Sequence, residues 1–325
     1  MTFLKKLCNC IAGVLSTVAI LGTAQAQSSY PEKTVRLIVP WPAGGAADAV
    51  GRSIAQALTT QLGKSVYVDN VAGAGGNIGT QQFVRAQPDG HTLYLATSST
   101  NVANPYLYAK LGFDPVKDFT PVVYVAAIPS ILVVPEASPY KTPQDIIAAA
   151  KAKPGSLSYG SGGVGASAHL AGELFKSVTK IDVTHVPYKG SGPAMVDVMS
   201  GQLTYMFDTG AVPYIKGGKV RAIAIADSSR LSLFPNLPTF DEAGIKGMHM
   251  NAWYGVAAPA GTPKAIVDRV NAAVNTALKD GDLRKKLEDI GGQVKGGGPG
   301  EFEKFWRSEL TRYEALVKLT GAKLD

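Results

Sequence analysis

Cysteine is almost absent from this chain. Its two cysteines, Cys8 and Cys10, precede an apolar run that is typical of an export signal, and we expect both to be removed with it. Because they precede that run rather than follow it, attachment as a lipoprotein is not expected. A mature chain without cysteine has no disulfide and no thiol chemistry. Its stability must come from core packing, for which about 300 residues are sufficient.

Long apolar runs are equally scarce. The run at 11–21 is too short to span a bilayer, and no other segment is apolar enough. It follows Lys5 and Lys6 and ends in the sequence AQA at 24–26, which is the arrangement of a cleavable signal peptide. We therefore expect residues 1–26 to be cleaved and the mature protein to begin near Gln27, outside the cytoplasm.

Histidine is rare, and several kinds of site are excluded with it. The four histidines lack the spacing of a metal centre, so no metal and no cofactor are predicted. No G-x-S-x-G segment marks a hydrolase nucleophile, and Ser167 and His169 lie two positions apart on a predicted helix, where they point in different directions. Lysine and arginine exceed aspartate and glutamate by 32 to 25. Without a basic run interleaved with aromatics, this excess does not indicate nucleic-acid binding.

Alternating strand and helix patterns are abundant instead. Apolar residues between Val50 and Leu62 recur at helical spacing before Gly63, which is a good helix terminator. Strands are predicted at 35–39, 66–68, 92–96, 157–159, 183–186, 203–207 and 220–226. This β-α-β order is typical of parallel-rich sheets covered by helices. The predicted fold class is therefore α/β.

Twice, a predicted strand leads through a glycine-rich loop into a helix. The first loop, residues 40–48, reads PWPAGGAAD, and the second loop, residues 160–167, reads GSGGVGAS. The first N–H groups of a helix are unpaired and lie at the positive end of its dipole. Glycines such as Gly44 and Gly45 let an anion approach those peptide groups closely. Two facing loops of this kind would suit a small dicarboxylate.

Two long apolar stretches, at 122–134 and 253–258, predict strands that carry the chain between two lobes. A chain that crosses twice leaves a hinge and a cleft between the lobes. The hypothesis assigns residues 28–124 and 250–325 to lobe 1. Residues 125–249 then form lobe 2.

Ordered motifs extend over nearly all of the mature chain. They are VPWPAGGAADAVGR (39–52), NVAGAGGNIG (70–79), TSSTNVANP (97–105), YGSGGVGASAHLAGELF (159–175), HVPYKGSGPAMVDVMSGQL (185–203), LPTFDEAG (237–244) and WYGVAAPAGTP (253–263). Together they resemble the Bug-type periplasmic solute receptors of tripartite tricarboxylate transport systems. The resemblance implies a type II periplasmic binding protein, or Venus flytrap. Such a protein closes on a small carboxylate and presents it to a membrane permease.

The resemblance also implies which residues contact the ligand. They are Ala43, Gly44, Ala46 and Asp48 in the first loop, Ser161, Gly165, Ala166, Ser167 and His169 in or just after the second, and Thr97, Ser98 and Asp208 at strand ends. Gly45 and Tyr188 are further candidates for the cleft wall. Many relatives carry a smaller aromatic or another residue at Trp41, so the size of the cleft is left open.

Several of these residues have a second interpretation. Asp48 either stabilises the first turn of its helix or contacts a ligand amine, and the serines of the second loop either cap their helix or contact ligand. His169 and Tyr188 either pack structurally or line the cleft. Asp208 either pairs with a ligand ammonium group, which would favour amino acids, or accepts backbone hydrogen bonds.

Other functions remain as alternatives. Gly160-x-Gly162-x-x-Gly165 matches the dinucleotide fingerprint, with Asp182 at a suitable distance, and would indicate a dehydrogenase, although nicotinamide cofactors are not expected outside the cytoplasm. A receptor of this fold can also present its closed form to a signalling protein. The preferred hypothesis is a monomeric, non-enzymatic receptor for a dicarboxylate, an acidic amino acid or a related organic acid.

Overall fold

The structure is a computed structural model that describes residues 30–279 and 281–321. The predicted signal peptide at 1–26 lies outside the described residues. The described residues fold into a six-stranded and a five-stranded sheet covered by helices. This is the α/β architecture of two lobes that the strand and helix patterns predict.

The strands are β1 (Val35–Val39), β2 (Val66–Asn70), β3 (Thr92–Thr97), β4 (Phe119–Pro129), β5 (Ile131–Pro135), β6 (Ser158–Ser161), β7 (Thr184–Pro187), β8 (Tyr205–Asp208), β9 (Val220–Ile225), β10 (Asn251–Pro259) and β11 (Gln293–Val294). The α-helices are α1 (Ala46–Leu62), α2 (Asn77–Val84), α3 (Asn104–Leu107), α4 (Pro143–Ala152), α5 (Ser167–Thr179), α6 (Ser191–Met199), α7 (Val212–Lys216), α8 (Lys264–Lys279), α9 (Asp282–Asp289) and α10 (Pro299–Thr320). A 3₁₀ turn (Ala74–Gly76) and a π-helical turn (Ser99–Ala103) complete them.

The first sheet has the order β11-β4-β10-β3-β1-β2. Its β1 pairs in parallel with β2 and β3, as the β-α-β order predicts. The remaining pairs, β10 with β3, β10 with β4, and β11 with β4, are antiparallel. They arise where the long strands of the interlobe crossings join the sheet, and the order of elements along the chain does not indicate their direction.

The second sheet has the order β7-β6-β8-β5-β9. Here β6 is parallel to β7 and β8, whereas β5 is antiparallel to β8 and β9. The strand predicted at 203–207 begins later, at Tyr205, because the amide of Leu203 donates to the carbonyl of Asp197 and keeps that residue in the turn after α6. Both sheets are therefore mixed, with the parallel strands next to the two loops.

The chain passes between the sheets at neighbouring points. It leaves the first sheet after Pro129 and enters the second at Ile131, so Ser130 is the crossing residue. Three backbone hydrogen bonds of 2.8–2.9 Å form a ring at this point. The amide of Ser130 donates to the carbonyl of Met250, the amide of Met250 donates to the carbonyl of Ala226, and the amide of Ala226 donates to the carbonyl of Ser130. These bonds tie the outgoing and returning strands together. The lobe boundaries given above remain a prediction.

A glycine brings each loop helix close to its own sheet. A β-carbon at Gly51 of α1 would lie 2.6 Å from Cγ2 of Val39 on β1. One at Gly172 of α5 would lie 2.2 Å from the ring of Tyr159 on β6. Only glycine allows these approaches, since real β-carbon contacts are longer. The two helix starts are thereby fixed beside the ends of β1 and β6.

Candidate functional site

A cavity of about 290 Å³ lies between the two loops. Loops at the carboxyl ends of parallel strands and the starts of the following helices form its walls, which is the usual place for a ligand in α/β proteins. The sequence-predicted residues that line it are Trp41, Ala43, Gly44, Gly45, Ala46, Thr97, Ser98, Ala166, Ser167 and Asp208. The structure thus brings ten of the candidates, which lie far apart in the sequence, around one space.

The first wall is the segment between β1 and α1. Gly44 has φ +90°, a conformation that costs an L-residue roughly 1–2 kcal/mol. Gly45 is the N-cap of α1 and provides no capping side chain. The first N–H groups of α1 therefore have no side-chain acceptor from the cap residue, and Ala46 and Ala47 of this first turn line the cavity. An anion in the cavity would find unpaired donors at the positive end of a 17-residue helix.

Asp48 holds the first wall from behind. Its Oδ2 accepts hydrogen bonds from the Gly44 amide and from Nε of Arg52, both at 3.0 Å, and its Oδ1 accepts one from Nδ2 of Asn70 at 3.0 Å. Nδ2 of Asn70 also donates to the carbonyl of Trp41 at 3.0 Å. Burial opposes ionisation of Asp48, but these donors outweigh it and lower its pKa. Asp48 does not line the cavity and acts on it through the shape of the loop.

The second wall is the segment between β6 and α5. Ala166 is the N-cap of α5 and, like Gly45, provides no capping side chain. Ala166 and Ser167 line the cavity together with Gly162. This helix start therefore faces the first one across the cavity with its first N–H groups uncapped by its N-cap residue.

Four other predicted contacts lie behind the second wall or beside it. The Oγ of Ser161 is 2.7 Å from Nε2 of His185, and the amide of Gly165 donates to Nδ1 of His169 at 3.2 Å. The hydroxyl of Tyr188 donates to the carboxylate of Asp197, and this bond raises the pKa of Tyr188 to about 12. None of these side chains lines the cavity. The polar atoms named here have protein partners, and whether these residues contact a ligand stays a prediction.

The floor is formed where β3 ends. The hydroxyl of Thr97 lies 2.9 Å from the hydroxyl of Thr100. The indole Nε1 of Trp41 donates to the hydroxyl oxygen of Thr97 at 3.5 Å. The amide of Thr97 donates to Oδ1 of Asn101 at 2.9 Å. Trp41 therefore connects the first loop to the floor and lines the cavity.

Asp208 is the acidic residue of the cavity wall, at the end of β8. It is 6% exposed, and burial raises its pKa to about 6 although the amides of Thr209 and Gly210 oppose the shift. No lysine or arginine among the described residues contributes to that shift. A β-carbon placed on Gly210 would lie 3.3 Å from Oδ2 of Asp208 and 3.6 Å from the amide nitrogen of Ala46. The carboxyl group of lobe 2 thus faces the start of α1 in lobe 1.

Sequence reasoning missed a third helix start. Helix α6 begins at Ser191 after Gly190, with no side-chain cap, and Lys189, Ser191, Gly192 and Pro193 line the cavity. A β-carbon on Gly45 would lie 3.4 Å from Oγ of Ser191, so the two lobes approach each other here. The glycines on either side of Ser191, followed by proline, were the available sign of an open helix start. Thr209, Tyr214 and Tyr254 also line the cavity and were not predicted.

Two other kinds of site are not found in the described part of the chain. Within 30–279 and 281–321, no three histidine, cysteine, aspartate or glutamate side chains are grouped as metal ligands. Among the helices described, none combines the length and apolar character needed to cross a membrane.

Comparison with known proteins gives a consistent family. Residues 50–322 match the family model described as tripartite tricarboxylate transporter family receptor. A protein of the tcbD-tcbE intergenic region of Pseudomonas sp. strain P51 is 36% identical over 94% of this chain and 92% of its own length. Protein BugT of Bordetella pertussis is 33% identical over 97% of both chains.

Solved structures agree with this result. Rpa4515 of R. palustris, solved with adipate, has a TM-score of 0.88 at 34% identity and covers 91% of this chain and all of its own (100%). MatC of Rhodopseudomonas palustris, solved with bound malate, has a TM-score of 0.83 at 35% identity and covers 89% of this chain and 100% of its own. The periplasmic binding protein BugD has a TM-score of 0.85 at 33% identity, covering 90% and 99%.

Proposed function

This chain belongs to the receptor family of the tripartite tricarboxylate transporters, and we propose that it captures a small organic acid between its two lobes and delivers it to a membrane permease. Members of this family bind solutes and are not enzymes. The glycine pattern at 160–165 is therefore the second loop of a binding site and not a dinucleotide fingerprint. Export to the periplasm by the predicted signal peptide is part of the proposal.

The observation that carries the proposal is the convergence of uncapped helix starts on one cavity. The starts of α1, α5 and α6 come from both lobes. A hydrogen bond to a charged acceptor contributes about 1.5–3 kcal/mol, and a helix dipole adds roughly 0.3–2 kcal/mol. A few such bonds and the burial of a carbon skeleton can together supply a binding free energy of about −8 kcal/mol, which corresponds to micromolar affinity.

The arrangement favours an acid that touches both walls. A ligand shifts the lobes towards closure only through a better fit to the closed form. One carboxylate at the start of α1 leaves the rest of the molecule to meet α5 and α6, and this division fits a dicarboxylate. Adipate and malate, the acids present in the two R. palustris structures, are the first candidates.

A thermal-shift screen of the mature protein tests the binding step. The panel contains C4–C6 dicarboxylates, malate, citrate, aspartate, glutamate and aromatic acids, with NADH as a control. We expect at least one acid to raise the melting temperature in proportion to the logarithm of its concentration above its dissociation constant. If NADH stabilises the protein and no acid does, the receptor assignment of this cavity is wrong.

Delivery is tested separately. The loaded protein should be retained by membranes that contain its permease, and the unloaded protein should be retained less. If only a signalling receptor retains the loaded form, the protein is a sensor and the transport part of the proposal fails.

A further inference from the structure

Two histidines form a stack directly behind the second loop. We propose that His169 and His185 are positioning residues that hold this loop in its binding shape while both are neutral, and that protonation of His169 releases it. The inference deepens the proposed function, because the loop is one wall of the carboxylate site.

His169 fixes the end of the loop. It lies in the first turn of α5, is 6% exposed, and its Nδ1 accepts a hydrogen bond from the Gly165 amide at 3.2 Å. An accepting Nδ1 carries no proton, so the partner assigns the neutral tautomer with hydrogen on Nε2. The next residues after Gly165, Ala166 and Ser167, line the cavity. The bond therefore sets the peptide groups that face a ligand.

His185 fixes the beginning of the loop. Its Nε2 lies 2.7 Å from Oγ of Ser161. That oxygen also accepts from the Gly163 amide at 3.2 Å and donates to the Gly163 carbonyl at 3.1 Å. With the hydroxyl proton of Ser161 on the Gly163 carbonyl, Nε2 of His185 is the donor in the remaining contact. The loop is thus pinned by an imidazole at each end.

The two rings cannot easily both be charged. Their centroids are 4.3 Å apart with an angle of 27° between the planes, and the ring of Tyr159 also stacks on His185, at a centroid distance of 4.8 Å. Burial lowers the pKa of both imidazoles, that of His185 to about 4. Each proton would bring one cation against the other ring.

No other charged group near the pair takes over as acceptor for the Gly165 amide once Nδ1 of His169 is protonated. Glu173 favours protonation of both rings and Lys176 opposes it. Glu173 already accepts from the hydroxyl of Tyr159 at 2.7 Å and from Nζ of Lys176 at 2.9 Å. No charged group of another described element contributes to the shift of either imidazole.

Acid acts on the loop through Nδ1 of His169. Once protonated, Nδ1 becomes a donor that faces the Gly165 donor, and the bond between them is lost. The loop must then move to separate the two N–H groups, and Ala166 and Ser167 move with it. Carboxylate binding should weaken by about five- to tenfold, as expected for one lost backbone hydrogen bond.

The first experiment needs no ligand. Hydrogen exchange and the chemical shift of the Gly165 amide are followed by NMR from pH 7.5 to pH 4.5. His169→Asn keeps an acceptor, Oδ1, at the place of Nδ1 but does not titrate, whereas His169→Ala removes the acceptor. We expect a pH-dependent loss of protection in the wild type, constant protection in His169→Asn, and no protection in His169→Ala. A Gly165 amide that behaves alike in all three proteins overturns the proposal.

The second experiment measures dissociation constants of malate and adipate at pH 7.5 and pH 4.5. His169→Asn should bind within about twofold of the wild type at pH 7.5 and about fivefold more tightly than it at pH 4.5. The comparison at one pH cancels the titration of the acids themselves and of Asp208. The exposed His249, which pairs with Asp241, provides the control His249→Asn, for which the wild-type profile is expected.

The two possible failures are distinguishable. Equal acid sensitivity of wild type and His169→Asn contradicts the histidine proposal even if both acids bind. If neither acid binds at pH 7.5, these acids are not the ligands and the proposed function is in question, while the NMR result still decides whether the histidines hold the loop.

Discussion

Asp208→Asn is expected to stabilise the protein at alkaline pH. In the folded state the pKa of Asp208 is raised from 3.8 to about 6, so the ionised carboxylate is penalised by burial. A shift of about 2 units corresponds to about 3 kcal/mol. The penalty is fully present above pH 6, where the folded carboxyl group is ionised, and disappears as the pH falls to the unfolded value.

The assay is urea unfolding of wild type and variant at pH 8 and pH 4. Asparagine has no charge but retains only one acceptor oxygen for the amides of Thr209 and Gly210, so the net gain is smaller than the full penalty. We expect the variant to be more stable by about 1–2 kcal/mol at pH 8 and to lose this advantage at pH 4. A variant that is equally destabilised at both pH values would refute the reasoning, because charge burial would then not govern this site.

The same variant distinguishes the two interpretations of Asp208. If the carboxylate pairs with a ligand ammonium group, Asp208→Asn weakens the binding of aspartate and glutamate. If it only accepts backbone hydrogen bonds, its charge repels a second ligand carboxylate, and the variant should bind malate or adipate more tightly at pH 8.

Three further changes test the walls and their support. Gly44→Val places a β-branched residue at φ +90° with no neighbour within 4 Å. It should abolish the thermal shift given by the best acid while the backbone strain lowers the stability of the free protein by only about 1–2 kcal/mol, and unchanged binding would remove the first loop from the site. Asp48→Ala removes the acceptor of three hydrogen bonds and should lower the free energy of unfolding in urea by about 1.5–3 kcal/mol at pH 7. The loss should shrink as the pH falls through the lowered pKa of Asp48, and a stability difference between wild type and variant that stays constant down to pH 2 would contradict the role of the ionised carboxylate. Gly172→Ala forces a β-carbon against Tyr159 and should lower stability by about 1–3 kcal/mol, measured as a reduced urea midpoint, and a wild-type midpoint would show that α5 does not pack this closely.

The general position of the site could be predicted from local sequence. Glycine-rich segments between a strand and a helix indicate an uncapped helix start, and this is how the first and second loops were found. The direction of the crossing strands could not be predicted in the same way. Whether β10 runs antiparallel to β4 depends on residues more than 100 positions apart, and nothing in either strand indicates its partner.

Which polar side chains beside the loops have protein partners was also beyond the sequence. Asp48, His169 and Tyr188 are polar residues beside the loops, as ligand contacts would be. Polar side chains beside the loops have partners that are distant in the sequence, such as Asn70 for Asp48 and His185 for Ser161. These partners come from other strands, so only the folded chain shows that the polar groups are already paired.

A ligand-bound crystal structure, with the acid that stabilises the protein most, is the most direct test of the central claim. We expect a carboxylate oxygen within hydrogen-bond distance of the first amides of α1, and the remainder of the acid against the starts of α5 and α6. An acid bound with its carboxylates far from both the first and the second loop would contradict the account.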